Sequence, residues 1–270
     1  MTPRSGQGRG VLVAVVSTLV FAGVLVALVT RSPGWDRFTA YFFDWGLYRE
    51  SFPEIRDAFL INVEIFVIAE AIILVTALVL AVLRSLPGPV FFPVRVLAIL
   101  YADFFRGVPT ILVILMLGVG MPALGVEGIP TSQVFWAVVS LVLVYTAYVS
   151  EVYRAGIDSV HPSQDAAARS LGLTRLQSLR YVVIPQAVRR VIPPLLNDFI
   201  GLQKDTALVS VLGVVEVLNQ SQIIEAATFN GTPFLVAATL FLLITIPLAR
   251  FTDWLVERDR RKRQAGTVAA

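Results

Sequence analysis

The feature that most constrains this sequence is the recurrence of uncharged apolar segments about twenty residues long. A helix needs about 20 mostly apolar residues to cross a bilayer, whose hydrocarbon core is about 30 Å thick. Only 15% of the 270 residues are charged, against about 25% in soluble domains. The sequence therefore predicts an all-α integral membrane protein with six spans, at residues 11–29, 58–83, 94–119, 135–150, 194–218 and 233–251.

The first apolar segment could be either a signal peptide or a retained helix. Residues 30–33 read Thr-Arg-Ser-Pro, which is a poor cleavage site, so we expect a retained span. Residues 30–57 mix aromatic and charged residues and are predicted to form a loop. We therefore divide the chain into an N-terminal helix and outer loop (1–57), a five-span core (58–255) and a basic tail (256–270), and expect the core to assemble without residues 1–50.

The distribution of arginine and lysine orients these spans. Most of the 22 basic residues fall on one side of the membrane when both termini are placed in the cytoplasm. The predicted outer loops 120–133 and 219–232 contain none. This asymmetry follows the positive-inside rule. It predicts a multi-pass protein of the inner (cytoplasmic) cell membrane with both termini cytoplasmic, and it accounts for the basic composition without nucleic acid.

Composition also narrows the chemistry of the chain. The sequence has no cysteine and a single histidine, His161, so disulfides are excluded and a histidine metal site is disfavoured. The two lysines, Lys204 and Lys262, do not follow a glycine as a P-loop requires, so the chain is not itself a P-loop ATPase. We expect no catalytic residue, metal or cofactor in this chain.

The predicted cytoplasmic segment 159–184 has the local signals of two short helices. Ser163 can cap the first helix, Asp165 suits its positive end, and Gly172 can end it in a left-handed conformation. Residues 174–177 fit a capping box, and Pro185 is expected to end the second helix. A rigid knob and an ordinary amphipathic loop lying on headgroups both remain open from these signals.

The same segment resembles the EAA motif of ABC importer permeases. Asp165-Ala166-Ala167, Gly172 and Ile184-Pro185 stand at the spacing of that motif. Two departures are visible: aspartate replaces the usual glutamate at Asp165, and residues 161–164 read His-Pro-Ser-Gln where the usual turn is Pro-Lys-Gly-Gln. Both departures bear on how the loop would fit its partner.

Three further stretches narrow the resemblance to amino-acid importer permeases of the histidine/glutamine/glutamate type. They are "DFFRGVP" at 103–109, "EVYRAGIDSV" at 151–160 and the run 193–214, which contains "KDTALVS". The resemblance covers about residues 58–255 and leaves out the first span. It implies a type I importer fold with a five-helix core and, here, one extra N-terminal helix.

The resemblance also implies partners. It implies a separate ABC ATPase dimer that carries ATP and Mg²⁺, a second permease copy or a homologous permease, and an extracytoplasmic amino-acid-binding protein. It implies that the chain forms the translocation path and contacts the ATPase through the loop. The implied contact residues are Ser163, Gln164, Asp165, Ala166, Ala167, Gly172 and Leu173.

Charged residues inside spans are costly and mark functional candidates. The substrate-path candidates are Glu64, Glu70, Asp103, Arg106, Lys204 and Asp205. One interpretation is mutual neutralisation, Arg106 with Asp103 or Glu70 and Lys204 with Asp205 or Asp198. The other is contact with a zwitterionic amino acid in a pocket between the second, third and fifth spans, formed by Glu70, Arg106 and Lys204.

Breaks in the third and fifth spans are also predicted. Gly107 and Pro109 should bend the third span, and the helix should restart near Asp205. Alternative functions are an ABC permease for another small polar solute and a secondary transporter. A channel is disfavoured because no filter sequence or ring of like charge is visible, and a membrane enzyme because histidine and cysteine are scarce.

Overall fold

The structure is a computed structural model that describes residues 5–86 and 88–268. Arg4, one of the basic residues on the predicted cytoplasmic side, and the last two residues of the predicted basic tail lie outside this part of the chain. The described residues form helices with no strand among them. The helices are α1 (Ser5–Thr30), α2 (Trp35–Phe42), α3 (Trp45–Ser85), α4 (Phe92–Gly107), α5 (Thr110–Ala123), α6 (Gln133–Asp158), α7 (Pro162–Ser170), α8 (Arg175–Ser178), α9 (Ile184–Asp205), α10 (Val217–Thr228) and α11 (Thr232–Val268).

Within the described residues, four helical stretches are long and apolar enough to cross a bilayer: Leu12–Thr30, Trp35–Ser85, Gln133–Asp158 and Thr232–Arg258. Two bent helix pairs would bring the number to six if each pair is one span. The all-helical, multi-span prediction is therefore confirmed at this level. The first stretch contributes no buried residue, so α1 stands apart from the packed bundle.

The main core lies where α3, α5, α6 and the 3₁₀ segment Thr206–Leu212 meet. Its fully buried side chains include Ile73, Ile114, Leu141 and Val209. Small residues allow the closest helix contacts. A Cβ at Gly156 would lie 1.9 Å from Val191 Cγ2, so glycine is required where α6 meets α9.

The break in the third span is confirmed at the predicted place. Helix α4 ends at Gly107 and α5 begins at Thr110, with an angle of 102° between them. Pro109 is the residue before α5, where its missing N–H and fixed φ are tolerated. The fifth span bends by 52° through the 3₁₀ segment and the left-handed Gly213.

Three predictions about element boundaries were wrong. Residues 30–57 are not a loop, because α2 and the first three turns of α3 lie there, so the predicted boundary at residue 57 falls inside α3. Residues 219–232 are mostly helix α10 instead of an outer loop. Pro185 does not end the second short helix: a π-helical stretch, Leu179–Val183, joins it to α9, and Pro185 occupies the first turn of α9, where proline is tolerated.

Helices α3 and α11 run in the same direction, which defines the two ends of the bundle. The N–H of Asp44 donates to Thr232 Oγ1 at 3.1 Å, and the rings of Phe59 and Phe241 lie 5.2 Å apart. At its other end α3 reaches Glu151 of α6 through Arg84, close to α7. We call the end that carries α7 and α8 the basic end, and the end where α3 and α11 begin the far end.

Candidate functional site

Helix α7 and its two ends form the first half of a compact module. His161, not Ser163, is the N-cap, because His161 Nδ1 accepts a hydrogen bond from the backbone N–H of Ser163 at 3.2 Å. The Ser163 hydroxyl oxygen lies 2.8 Å from the same nitrogen. Pro162 takes the first helical position, where its missing N–H is not needed. The predicted cap at Ser163 was therefore wrong by two residues, although the predicted helix is present.

The end of α7 confirms the predicted left-handed stop. Gly172 has φ +91°, its N–H donates to Arg169 O at 3.0 Å, and the N–H of Leu173 donates to Ala168 O at 3.2 Å. These two hydrogen bonds form a Schellman motif, which satisfies carbonyls at the helix end. Gly172 thereby sets the direction in which the chain enters α8.

Helix α8 is locked onto α7. The predicted capping box is present: Gln177 N–H donates to Thr174 Oγ1 at 3.3 Å, and Thr174 N–H to Gln177 Oε1 at 2.9 Å. The Ser178 hydroxyl donates to Asp165 Oδ1 at 2.5 Å. This hydrogen bond of Asp165 therefore links the two helices. Gln164 accepts from Gln186 Nε2 at 3.3 Å and ties α7 to the start of α9.

The module exposes apolar side chains at the basic end. Leu171 and Leu176 are 82% and 76% exposed, and Tyr181 is 64% exposed. Ala166 and Ala167 are exposed beside them, while Ala168 faces inward and is buried. We call Leu171, Leu176 and Tyr181 the module face. Three large exposed apolar residues on a rigid support are typical of a contact surface.

An ionic cluster joins three helices of the bundle near the basic end. Glu151, near the end of α6, accepts hydrogen bonds from Arg84 of α3 and from Arg154 one turn along α6, the latter at 2.8 Å. Arg106, the last charged residue of α4, lies 3.4 Å from the same carboxylate. Both predicted partners of Arg106, Asp103 and Glu70, were therefore wrong, because the end of α4 faces α6.

A second group of polar residues lies inside the bundle between α3, α6 and α9. Glu70 of α3 lies within electrostatic range of Asp198 of α9. Asp198 Oδ2 is buried and has no hydrogen-bond partner among the described residues. Two turns further along α9, Asp205 Oδ2 accepts a hydrogen bond from the hydroxyl of Tyr145 at 2.9 Å. The arrangement is a row of acidic groups with a tyrosine, and none of the three acids forms an ion pair within the described residues.

The remaining candidates lie on surfaces of the single chain. Glu64, Asp103 and Lys204 are all exposed. Lys204 exerts an electrostatic effect on Asp205 but forms no ion pair within the part of the chain that the structure describes. The structure therefore does not bring Glu70, Arg106 and Lys204 into one pocket. Residues 5–86 and 88–268 also contain no group of three acidic or histidine side chains that could hold a metal ion.

A buried hydrogen bond between Asn62 and Glu216 in the interior of the bundle was not predicted from the sequence. Glu216 is fully buried, and Asn62 of α3 donates to its Oε2 at 2.8 Å. Glu216 was visible in the sequence as a charge inside a span, but Asn62 is neutral and gave no comparable signal. The role of Glu151 as a common partner of three arginines was also missed, since only the fold brings α3 and α4 to α6.

The sequence profile of one family matches residues 86–261, which include the module, Glu151, Asp198 and Glu216. That family is described as the inner membrane component of binding-protein-dependent transport systems. This chain belongs to it. It is therefore a membrane transport component and not an enzyme, as the sequence predicted, and permeases of this kind do not themselves bind a cofactor.

Individual relatives agree with this family. The chain is 32% identical over 220 residues to the probable amino-acid permease protein YxeN of Bacillus subtilis, covering 81% of this chain and 96% of the relative. It is 31% identical to the glutamate/aspartate import permease protein GltK of Escherichia coli, covering 81% and 99%. The resemblance to amino-acid importer permeases is thus confirmed.

Solved structures support the fold. A crystal structure of an amino acid ABC transporter with histidines contains a chain 29% identical to this one, with a TM-score of 0.71 over 80% of this chain and 98% of that chain. A chain of the MetNI methionine ABC transporter shares the fold at 16% identity, with a TM-score of 0.59.

Proposed function

We propose that this chain is the permease subunit of an ATP-driven amino-acid importer. The module of α7 and α8 is the observation that carries the proposal. A secondary transporter has no need of a rigid knob with exposed leucines outside the bundle, whereas a permease driven by a separate ATPase needs a surface through which force is transmitted. The printed names of the relatives support amino acids as the substrate class.

The partners follow from the same proposal. The module face docks on one subunit of an ABC ATPase dimer that binds ATP and Mg²⁺, and Ser163, Gln164, Asp165, Ala166, Ala167, Gly172 and Leu173 form or support that contact. A second permease, identical or homologous, completes the path, and an extracytoplasmic binding protein delivers the substrate. The basic end faces the cytoplasm, with both termini on that side, as the positive-inside rule requires.

The Glu151 cluster supports a route for the coupling motion. Helix α6 leads directly through residues 159–161 into α7, and the Arg190 guanidinium donates to Ser159 O at this junction. The cluster ties α6 to α3 and to the end of α4. A displacement of the module by the ATPase would therefore reach three membrane helices through one carboxylate. Arg106 has its role here and not in a substrate pocket.

The substrate path that we propose runs along the acidic row between α3, α6 and α9. Glu70 and Asp198 are carboxyl groups with no cation paired to them within the described residues, and burying such groups is costly unless they are used. The ammonium group of an amino acid would satisfy the buried Asp198 Oδ2. Lys204, exposed beside Asp205, is available to the carboxylate. Glu64 and Asp103 would line the path only where the second permease faces them.

The decisive experiment is uptake by the full complex, reconstituted in liposomes, against a panel of amino acids. We expect uptake that depends on ATP, and Glu70→Gln should reduce it at least about tenfold, since a lost charge-assisted hydrogen bond costs about 1.5–3 kcal/mol. The matched control is Glu50→Gln, an equal charge change at an exposed position of the same helix and outside the proposed path. Uptake driven by an ion gradient without ATP would refute the function. Equal uptake by both variants would remove only Glu70 from the path.

A further inference from the structure

An open groove at the far end of the bundle is not used by the proposed mechanism. It has a volume of about 390 Å³ and lies between the start of α3 and the first three turns of α11. One wall consists of aromatic residues at the junction of α2 and α3, namely Phe42, Phe43, Trp45 and Tyr48. Residues 42–48 lie outside the region matched by the family.

Two opposite charges lie at the groove, one in its lining and one next to its wall. Asp44 is exposed, and its Oδ1 accepts from the N–H of Leu47 at 3.0 Å, which caps α3 and leaves the negative charge at the rim. The Arg49 guanidinium lies 5.2 Å from the centre of the Trp45 ring, so a cation stands next to a residue of the groove wall. A carboxylate beside aromatic rings favours an ammonium group, and an arginine favours a phosphate.

The other wall is an apolar strip that leads away from these charges. Leu235, Ala238 and Leu242 of α11 line the groove at positions i, i+3 and i+7, which share one helix face. They descend about 10 Å towards the basic end at 1.5 Å per residue. Leu242 and Ala238 are exposed, so the strip is open to the bilayer. Trp45 and Tyr48 of the opposite wall are of the residue types that concentrate at the membrane–water interface.

We propose that this groove binds one phospholipid with a zwitterionic, amine-bearing headgroup, of the phosphatidylethanolamine class. The ammonium group lies against Asp44 and the rings, the phosphate meets Arg49, and one acyl chain follows the strip on α11. The charges stand at the wet end and the apolar strip runs into the membrane, which is the polarity of a lipid and not of a soluble amino acid or a folded protein partner.

The proposal can be tested by native mass spectrometry of the full-length chain released from nanodiscs of equimolar phosphatidylethanolamine and phosphatidylglycerol. We expect the amine lipid to be retained in preference. Asp44→Asn keeps an N-cap residue but removes the charge, and should reduce this retention about threefold, the effect of one partly exposed ion pair. Ala238→Phe fills the groove and should abolish it.

Matched controls separate the groove from the general lipid shell. Glu50→Gln removes a nearby exposed charge outside the groove, and Ala71→Phe adds the same bulk on an exposed face of α3; neither should change retention. Glycerophosphoethanolamine, which has no acyl chain, should compete poorly. Equal retention of the two lipids, retention unchanged by Ala238→Phe, or full competition by the soluble headgroup would each overturn the proposal.

Discussion

Glu216 is the single residue whose environment is most demanding. It is fully buried, and it accepts hydrogen bonds from Asn62 Nδ2 at 2.8 Å, Leu218 N–H at 3.0 Å and Asn219 N–H at 2.9 Å. The two N–H groups belong to the first turn of α10, where the helix dipole favours an anion. Burying this carboxylate without hydrogen-bond partners would cost too much free energy. With these partners, Glu216 caps α10 and links it to α3.

This environment predicts a large loss of stability on truncation. Glu216→Ala removes the acceptor of two partly buried N–H groups and one of the two acceptors of the buried Asn62 amide, which keeps Thr206 Oγ1 at 3.2 Å. A buried donor left unsatisfied costs about 1–3 kcal/mol. We expect the midpoint of SDS-induced unfolding of the purified chain to fall clearly, and Glu64→Ala, an exposed acid of α3, to leave it unchanged. Equal midpoints for the two variants would show that Glu216 is not the anchor of the break between α9 and α10.

At the scale of elements, the geometry of the module depends on one backbone conformation. Gly172 has φ +91°, and no neighbouring atom lies within 4 Å of the position that a Cβ would take. A substitution at Gly172 is therefore disfavoured by the positive φ angle and not by contacts between the new side chain and its neighbours. The conformation is accessible to glycine, is sometimes adopted by asparagine, and is strongly disfavoured for β-branched residues.

Gly172→Val should consequently uncouple the complex. We expect normal membrane insertion, loss of most substrate-stimulated ATP hydrolysis and loss of uptake, because α8 and the module face change direction relative to α7. Gly172→Asn, which tolerates the left-handed region, should retain most of the activity. The measurement is ATPase activity of the reconstituted complex with and without loaded binding protein. Full coupling in Gly172→Val would show that the module does not need this stop.

At the scale of the whole molecule, the N-terminal region divides at a different place from the one the sequence predicted. Helix α1 buries none of its apolar stretch, whereas α2 is bound to α10 and to the loop before α11. The Tyr41 hydroxyl donates to Glu225 Oε1 at 2.8 Å, and Gly231 N–H donates to Tyr41 O at 2.8 Å. The separable part is therefore α1 alone.

Two deletions distinguish these boundaries. Removal of residues 1–33 should leave a chain that inserts and binds its ATPase, because residues 12–33 contribute no buried side chain. Removal of residues 1–50 also deletes α2 and the N-cap of α3, and should lower the yield of monodisperse complex in size-exclusion chromatography. If the two truncated chains behave alike, the contacts of Tyr41 contribute little, and the boundary predicted from the sequence is adequate.

The sequence alone determined the features of the fold that depend on residues close together in the chain. The apolar lengths predict the spans, Pro109 predicts the break before α5, and Gly172 with the Thr174–Gln177 box predicts the form of the module. Each of these features depends on neighbouring residues only. The causes are the backbone freedom of glycine, the missing N–H of proline and the free energy of transferring an apolar segment into the bilayer. The coupling and import function was reached through motifs that occupy this same local structure.

Tertiary structure decided which groups face each other. Arg106 meets Glu151 and not Glu70 or Asp103, and Asp198 of α9 comes within electrostatic range of Glu70. Residues 45–57 are helical because Ile55 and Phe59 pack against Val236 and Phe241 of α11. A sequence states the depth of a charge along its helix, because 1.5 Å per residue is constant. It does not state the rotation and crossing of helices, since these result from the packing of all side chains together.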